Sequence, residues 1–413
     1  MSNTQRGHNR STPTTPRVSG GFQRVSKKRP CRICQKSTYC GYSTDGGTSI
    51  CMRVRTGARR TSRNGGNIHV HTDIAPTLIT QRSQRPSSPS IPLAPIEIRD
   101  AVFRELIRIS PASNYYSDLV SGPGGLLSRG LLARQISNYG ALPPTQKERA
   151  NLAAALRSFV LSNFTDHANL YSRAGVVGIP GFWQEPSGMV HIWKPRTYNM
   201  PILVIPYRDA EGSIQACQLR LHTYDIPPDG KKYRWLASPQ ERHGTSSGTP
   251  IHFTFRPKEL PAGGNILYTE GALKAEAFVR FKPRARVIAT TGVSCSHSEM
   301  IAAGRPYNAF IGFDSDHRTN PAVCRQLARL IAHRIQDSAQ HQLTTTTRII
   351  IWKGPKDPDS APKGIDEAVQ KNIRLTAITI SKWFSTLRDK PLDDVRQYWS
   401  EIGFTPQRDV TEG

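Results

Sequence analysis

From Ile96 onward the apolar residues recur at helical spacing: Val102, Leu106, Ile107 and Ile109, then Leu131, Leu132 and Ile136, then Leu152, Ala155, Leu156, Phe159 and Val160. A period near 3.6 predicts a small helical domain over residues 96–175, ended by Gly178-Ile179-Pro180-Gly181. The pattern then shortens. Residues 202–208 and 213–220 are runs of strand formers around the turn Asp209-Ala210-Glu211-Gly212, and read as a β-hairpin within a mixed subdomain over 176–263.

Residues 264–370 alternate between the two periods. Strands are expected at 265–269, 286–290, 308–313 and 348–352, and helices at 272–281, 296–303, 321–340 and 364–371. Alternation of this kind implies a mainly parallel sheet with helices on its faces. The remainder, 373–413, reads as amphipathic helices through Ile380, Trp383, Phe384 and Leu387, then Val395, Tyr398 and Trp399.

Before Ile96 there is little apolar pattern. Residues 1–25 are rich in Ser, Thr, Arg and Gly and read as a disordered basic arm; residues 76–95, with Pro76, Pro86, Pro89, Pro92 and Pro95, read as a linker. Between them, 26–75 forms a small cysteine-bearing module expected to be β-rich. The fold class is therefore multidomain α+β, and a length of 413 residues suits about two to four domains.

Charge sharpens this picture. The net charge is +25, and residues 1–90 supply +14 of it, with sixteen Lys/Arg against Asp45 and Asp73. Such an excess points to a polyanionic partner, nucleic acid above all. No apolar run is long enough to span a bilayer, and the N-terminus lacks the apolar core of a signal peptide, so a cytoplasmic location is expected.

Cys31, Cys34, Cys40 and Cys51 have the spacing C-x2-C-x5-C-x10-C, whereas Cys217, Cys295 and Cys324 stand alone. Four soft thiolates in one short window suit tetrahedral zinc, with His69 and His71 as spare candidates. A segment this poor in apolar residues needs metal to fold, so the zinc is expected to be structural. Lys27, Lys28, Arg29, Arg32, Lys36, Arg53, Arg55, Arg59 and Arg60, interleaved with Tyr39 and Tyr42, suit phosphate contacts and base stacking.

Two strands end abruptly in acid: Ile266-Leu267-Tyr268-Thr269-Glu270 and Ala309-Phe310-Ile311-Gly312-Phe313-Asp314-Ser315-Asp316. Carboxylates at the C-terminal edge of a parallel sheet stand where α/β folds build their sites. Three of them need a cation, and a hard metal such as Mg²⁺ is its natural form, which points to nucleotidyl or phosphoryl chemistry. No Gly-x4-Gly-Lys-Ser/Thr loop occurs, so the chain shows no P-loop motor and any helicase would be a separate partner.

On these residues, 264–372 resembles a TOPRIM domain, the metal-binding α/β module of bacterial-type primases, topoisomerases and some nucleases. The hairpin with Pro206-Tyr207-Arg208-Asp209, Gly212 and Gln218-Leu219-Arg220 is similar to the segment before TOPRIM in bacterial replicative primases. So are Lys232-Tyr233-Arg234-Trp235-Leu236-Ala237-Ser238-Pro239 and Val287-Ile288-Ala289-Thr290-Thr291-Gly292-Val293. Glu270-Gly271-Ala272-Leu273-Lys274-Ala275 and Lys363-Gly364-Ile365-Asp366-Glu367 look like segments of compact primase-like proteins of phages, plasmids and other mobile elements. Two features depart from the replicative enzymes: the zinc ligands are four cysteines, and Lys274 stands where an Asp is frequent.

The resemblance implies a DNA primase that joins nucleoside triphosphates on a single-stranded DNA template. Asp314 and Asp316 would be the main ligands of Mg²⁺ or Mn²⁺, Glu270 a ligand or general base, and Asp366, less firmly Glu367, a further acid of the site. Asp366 equally suits the N-terminus of a helix. Arg208, Arg220, Lys232 and Arg234 would line a groove for template and triphosphate, and Lys274 would touch a phosphate or pair with a carboxylate. Trp235 and Trp352 are expected in the core. A TOPRIM nuclease and a non-catalytic single-strand-binding replication protein are the competing readings.

Overall fold

The computed structural model describes residues 22–26, 29–38, 40–43, 48–61, 66–71, 91–166, 175–195, 198–222, 232–318, 320–352, 362–387 and 399–400. The basic arm up to 21, most of the linker, Lys27, Lys28, Tyr39, Val395 and Tyr398 lie outside the described residues. The chain divides into two units, Met1–Ser87 and Ser88–Gly413.

The first unit is a five-stranded antiparallel sheet. Its strands are β1 (Phe22–Arg24), β2 (Gly41–Ser43), β3 (Thr48–Cys51), β4 (Arg60–Thr61) and β5 (Asn67–Val70), in the order β1-β2-β3-β5-β4. Among the described residues its buried apolar core is Val25, Cys31, Cys40 and Cys51, with Ile33, Cys34, Tyr42 and Val54 packed against it. Apolar burial on this scale cannot hold so small a sheet, which is why the cysteines matter.

The second unit starts with α1 (Ile96–Ile109), the short strand β6 (Gly140–Leu142) and α2 (Gln146–Asn163). Thr145 begins α2 with a capping box: its hydroxyl accepts from the Glu148 amide at 3.2 Å, and Glu148 Oε2 accepts from the Thr145 amide at 3.3 Å. A small hairpin, β7 (Phe182–Gln184) and β8 (Val190–Ile192), precedes β9 (Ile202–Arg208), β10 (Ile214–Arg220) and β11 (Tyr233–Trp235). Strands β11-β10-β9-β6 form one antiparallel sheet.

Within the helical stretch expected over 96–175, residues 96–163 hold more than helices. They carry a strand of this sheet, and their apolar stripe shares one core with it: Val102, Leu106, Leu156 and Val160 pack with Ile202, Val204, Cys217 and Leu219. Strand alternation sends Leu203, Ile205 and Tyr207 to the opposite face. There they meet Ala272, Leu273 and Ala277 of the helix that follows the first acid.

The second sheet contains β12 (His252–Phe253), β13 (Asn265–Glu270), β14 (Val287–Thr290), β15 (Asn308–Ile311), β16 (Thr347–Trp352) and β17 (Leu375–Ile378). Its order is β12-β14-β13-β15-β16-β17; the middle four strands are parallel and both edges antiparallel. The helices between and after them are α3 (Ala272–Phe281), α4 (His297–Ala303), α5 (Pro321–Gln340), α6 (Ile365–Gln370) and, following β17, α7 (Ile380–Ser385). Residues 375–378, expected to be helical, instead pair with β16 as an edge strand. Trp352 is buried and Trp235 half-buried.

Leu267, Ala275, Phe278, Ile365 and Ala368 share one core, which places α3 and α6 on one face of this sheet. Ile266, Tyr268, Ile311, Met300, Leu327 and Ile331 share another, which places α4 and α5 on the opposite face. Helix α3 is thus packed between the two sheets. Among the described residues no helix is long and apolar enough to cross a membrane.

Candidate functional site

The chain leaves β13 toward β14 on one side and leaves β15 toward β16 on the other, while β13 and β15 are neighbours. The connections part at the C-terminal ends of these two strands, a topological switch point where parallel sheets open a crevice. Glu270 is the last residue of β13, and Asp314 lies just beyond β15. The strand ends are tied by Thr269 Oγ1, which donates to the Gly312 carbonyl at 2.9 Å. Glu270 Oε1 accepts from the Asp314 amide at 3.2 Å. Gly271 turns the chain into α3 with φ of +77°, a conformation that side-chain-bearing residues rarely take.

Around these acids lies a cavity of about 310 Å³. Glu270, Asp314 and Asp366 line it together with Arg129, Lys274 and Lys363. A larger cavity of about 590 Å³, beside Thr145, Trp183 and Lys194, has no carboxylate in its lining. Of these two cavities, only the smaller is lined by carboxylates.

The pairing within it is specific. The Lys274 ammonium is hydrogen-bonded to Asp314 Oδ1. Lys363 Nζ lies 2.9 Å from Asp316 Oδ2, and Arg129 Nη1 lies 3.9 Å from Asp366 Oδ2. Burial pushes the Glu270 and Asp366 carboxyls above the ordinary range; Lys274 opposes this at both, without cancelling it. Burial also works against the Lys274 charge, but Asp314, Glu270 and Asp366 outweigh it and hold the ammonium above the ordinary lysine range.

Among the described residues no three of these carboxylates converge as a ligand set; only the four cysteines do. The donors are oxygens, as a hard divalent cation requires. The cation at Asp314, however, is the ammonium of Lys274. Asp366 belongs to both settings considered for it: it lies in the first turn of α6 and in the lining of the cavity.

Of the expected phosphate contacts, Arg220 and Lys232 stand together. Burial first, then Arg220 and Arg129, brings the Lys232 pKa down to about 8. Arg220 lies opposite Tyr233 across the β10–β11 ladder, on the same face as Gln218 and Trp235. Gln218 and Tyr233 line the cavity. Arg234 pairs with Leu219 on the other face, away from it. Arg208 is engaged elsewhere, 3.1 Å from Glu276 Oε1. Arg129 and Lys363 were not among the expected residues, because only tertiary packing brings them to the acids.

In the first unit the four cysteine sulfurs all lie within 4.8 Å of one another, and Cys34 and Cys40 are 3.6 Å apart. Tetrahedral zinc with bonds of about 2.3 Å sets sulfurs roughly 3.8 Å apart, so the cluster fits that ion. The Val54 amide donates to Cys51 Sγ at 3.3 Å and the Met52 amide to Cys40 Sγ at 3.4 Å, as thiolates require. Burial opposes ionisation of Cys34, yet the Lys36 amide, the neighbouring thiols and Arg53 bring its pKa down to about 6. His69 and His71 are not ligands. His69 Nε2 meets the Val54 carbonyl at 2.9 Å, and His71 Nε2 meets Ser49 Oγ at 2.8 Å. Arg53 spans the cysteine loop, with Nη1 donating to the Thr38 carbonyl at 2.8 Å, and Arg29 stacks over Tyr42 at 3.7 Å.

The fold and sites define a two-unit α+β protein with a four-cysteine cluster able to hold a metal ion in one unit and an acidic switch-point site in the other. No protein-family profile matches the chain, and no curated protein does. Among solved structures it is similar to a DnaG primase catalytic domain bound to ssDNA, with 16% identity, 74% of this chain and 91% of that chain covered, and a TM-score of 0.43. It is also similar to the zinc-binding and RNA polymerase domains of the Aquifex aeolicus primase (13% identity, 75% and 68% covered, TM-score 0.45). A DNA primase domain from Pseudomonas aeruginosa is a third (14% identity, 75% and 97% covered, TM-score 0.44). Identities of 13–16% leave the chemistry to this chain's own side chains.

Proposed function

We propose that the protein is a DNA primase that synthesises short primers on single-stranded DNA by metal-dependent nucleotidyl transfer, serving the replication of a mobile element. In this reading residues 26–75 hold structural zinc, 264–372 are a TOPRIM-like catalytic region, and 176–263 supply the template surface. The observation that carries it is the opposition of charge in one cavity. Carboxylates from the ends of β13 and β15 face Arg129, while Arg220 and Lys232 stand beside it.

Each group then has a task. Mg²⁺ or Mn²⁺ held by Glu270, Asp314 and Asp316 would supply charge stabilisation for the attacking and leaving oxygens. Where Glu270 is not itself a ligand, it would accept the proton of the attacking 3′-hydroxyl as general base. Arg129, Arg220 and Lys232 bind the triphosphate and template phosphates. Asp366 completes the acidic wall. The strong positive charge of residues 1–90 adds sequence-independent affinity for the template.

The test is incubation of the full chain with single-stranded DNA, nucleoside triphosphates and Mg²⁺ or Mn²⁺. Short labelled oligomers that vanish with Asp314→Ala support the proposal. Cleavage of DNA without triphosphates would favour a nuclease, and tight binding with neither activity a non-catalytic replication protein.

A further inference from the structure

The acid edge carries its own cation, and the fold contains a second place for it. Lys274 lies in α3, four residues after Glu270, and its side chain is only 14% exposed, with the ammonium on Asp314 Oδ1. Asp366 is the neighbouring carboxylate. Its side chain is 4% exposed, and its Oδ1 is buried without a hydrogen-bond partner. A buried carboxylate oxygen in that condition carries the full cost of its lost hydration.

Gly364 joins the two. A Cβ added there would lie 2.3 Å from Asp366 Oδ1 and 3.4 Å from Lys274 Cε. The orphan oxygen and the end of the lysine stem therefore lie against the same glycine, whose missing side chain lets Asp366 Oδ1 pack this close. Asp366 already stabilises the Lys274 charge, so an exchange of Asp314 for Asp366 would ask only for a short side-chain movement. The exchange replaces one charge-assisted hydrogen bond with another, and it satisfies the orphan while freeing Asp314.

We propose that Lys274 is a displaceable resident cation: it holds the acid edge together without a divalent ion, and it moves from Asp314 to Asp366 when such an ion binds. This rests on the reading of Glu270, Asp314 and Asp316 as the metal-binding acids. Lys274 is then a positioning residue. It lowers divalent-ion affinity, because the ion must displace a hydrogen-bonded ammonium, and it spares the metal-free edge from mutual repulsion. Asp366 limits the loss by receiving the displaced charge.

The experiment is a Mn²⁺ titration of the zinc-loaded full chain, followed by the free-ion paramagnetic resonance signal and by calorimetry. Asp314→Ala marks the site. Lys274→Met is expected to bind Mn²⁺ at least about tenfold tighter, the loss of one charge-assisted hydrogen bond to be broken. Its metal-free melting temperature is expected to fall and its stabilisation by Mn²⁺ to grow. Asp366→Asn is expected to weaken Mn²⁺ binding several-fold in the wild-type background and to have little effect beside Lys274→Met. Unchanged or weaker Mn²⁺ binding by Lys274→Met would overturn the inference while leaving the metal site standing. If Lys274→Met does not fold, Asp366→Asn decides alone, and an unaltered Mn²⁺ affinity overturns it. Absence of Asp314-dependent binding in both wild type and Lys274→Met would overturn the metal reading itself.

Discussion

Glu276 of α3 links the two sheets of the larger unit, and its removal is a stringent test of how that helix is held. Glu276 Oε1 lies 3.1 Å from Arg208 Nη1, at the end of β9, and 3.1 Å from His252 Nε2, on β12. His252 Nδ1 accepts from the Arg208 amide at 3.0 Å, so Nε2 carries the hydrogen that Glu276 accepts. The His252 side chain is fully buried, and Arg208 and Glu276 are each 21% exposed. That exposure puts the network between a surface pair and a fully buried one. Glu276→Gln should therefore cost about 2 kcal/mol, roughly 4 °C in melting temperature for a unit of this size.

Scanning calorimetry from pH 7.5 downward measures both this and its pH dependence. Burial, the largest effect, holds the His252 pKa below its ordinary value despite Glu276. The unfolded chain thus takes up a proton near pH 6.5 that the folded chain refuses, and stability falls as pH drops below about 6.5 toward the folded pKa. Burial alone would raise Glu276, but His252 and Arg208 outweigh it and hold the carboxyl below its ordinary range. Its contribution is present above about pH 4.5 and is lost as pH falls through the lower folded value. Wild type should lose stability in two stages, and Glu276→Gln should lack the second. An unchanged melting temperature, or strict additivity of Glu276→Gln with Arg208→Met, would refute the coupling.

Other consequences follow from the same network of contacts. Cys40→Ser should release zinc on dialysis and collapse the first unit, read by metal analysis and near-ultraviolet dichroism, while the second unit keeps its melting transition because its cores are its own. Arg334→Met should lower stability by about 3 kcal/mol in denaturant titration. The buried guanidinium donates to Tyr268 Oη at 3.2 Å, the Gly304 carbonyl at 3.2 Å and Thr347 Oγ1 at 3.0 Å, all of which methionine abandons. In the proposed primase reading, affinity for single-stranded DNA or triphosphate should fall as pH rises through about 8, the value to which burial, Arg220 and Arg129 bring the Lys232 pKa, and Lys232→Arg should flatten that profile in fluorescence anisotropy.

Much of the second unit was legible because its signals are local. Strand and helix periods from 264 to 370 recur within a residue or two in β13 to β16 and α3 to α6, since each element buries a face wide enough to impose a pattern. The hairpin of β9 and β10 was legible for the same reason, with Asp209-Ala210-Glu211-Gly212 at its turn. What stayed hidden was short or joined from afar. Gly140-Ala141-Leu142 has no alternation to read, yet it pairs with β9 and binds α1 and α2 to that sheet. Strand β17 is likewise an edge whose pairing with β16 only the fold supplies. Arg129 carries no motif, and Lys363, although it opens the Lys363-Gly364-Ile365-Asp366-Glu367 segment, gives no sign in the sequence of its pairing with Asp316; the fold brings them to Asp366 and Asp316.

The acid site shows where sequence logic reaches and where it stops. Acids at the ends of two adjacent strands require a compensating charge, and that requirement follows from Coulomb's law alone. The identity of the charge does not follow. Glu270 and Lys274 are four residues apart, a separation that allows the lysine to face solvent, a phosphate or a carboxylate. Helix α3 decides among them because its Ala272, Leu273 and Ala277 face is packed against Leu203, Ile205 and Tyr207, while Ala275 and Phe278 face the second sheet. With both faces committed, Lys274 lies in the crevice, where Asp314 is its partner. Lys274 therefore sets the charge of the site and not merely its shape. With that ammonium among them, Glu270, Asp314 and Asp366 can stand together in one crevice.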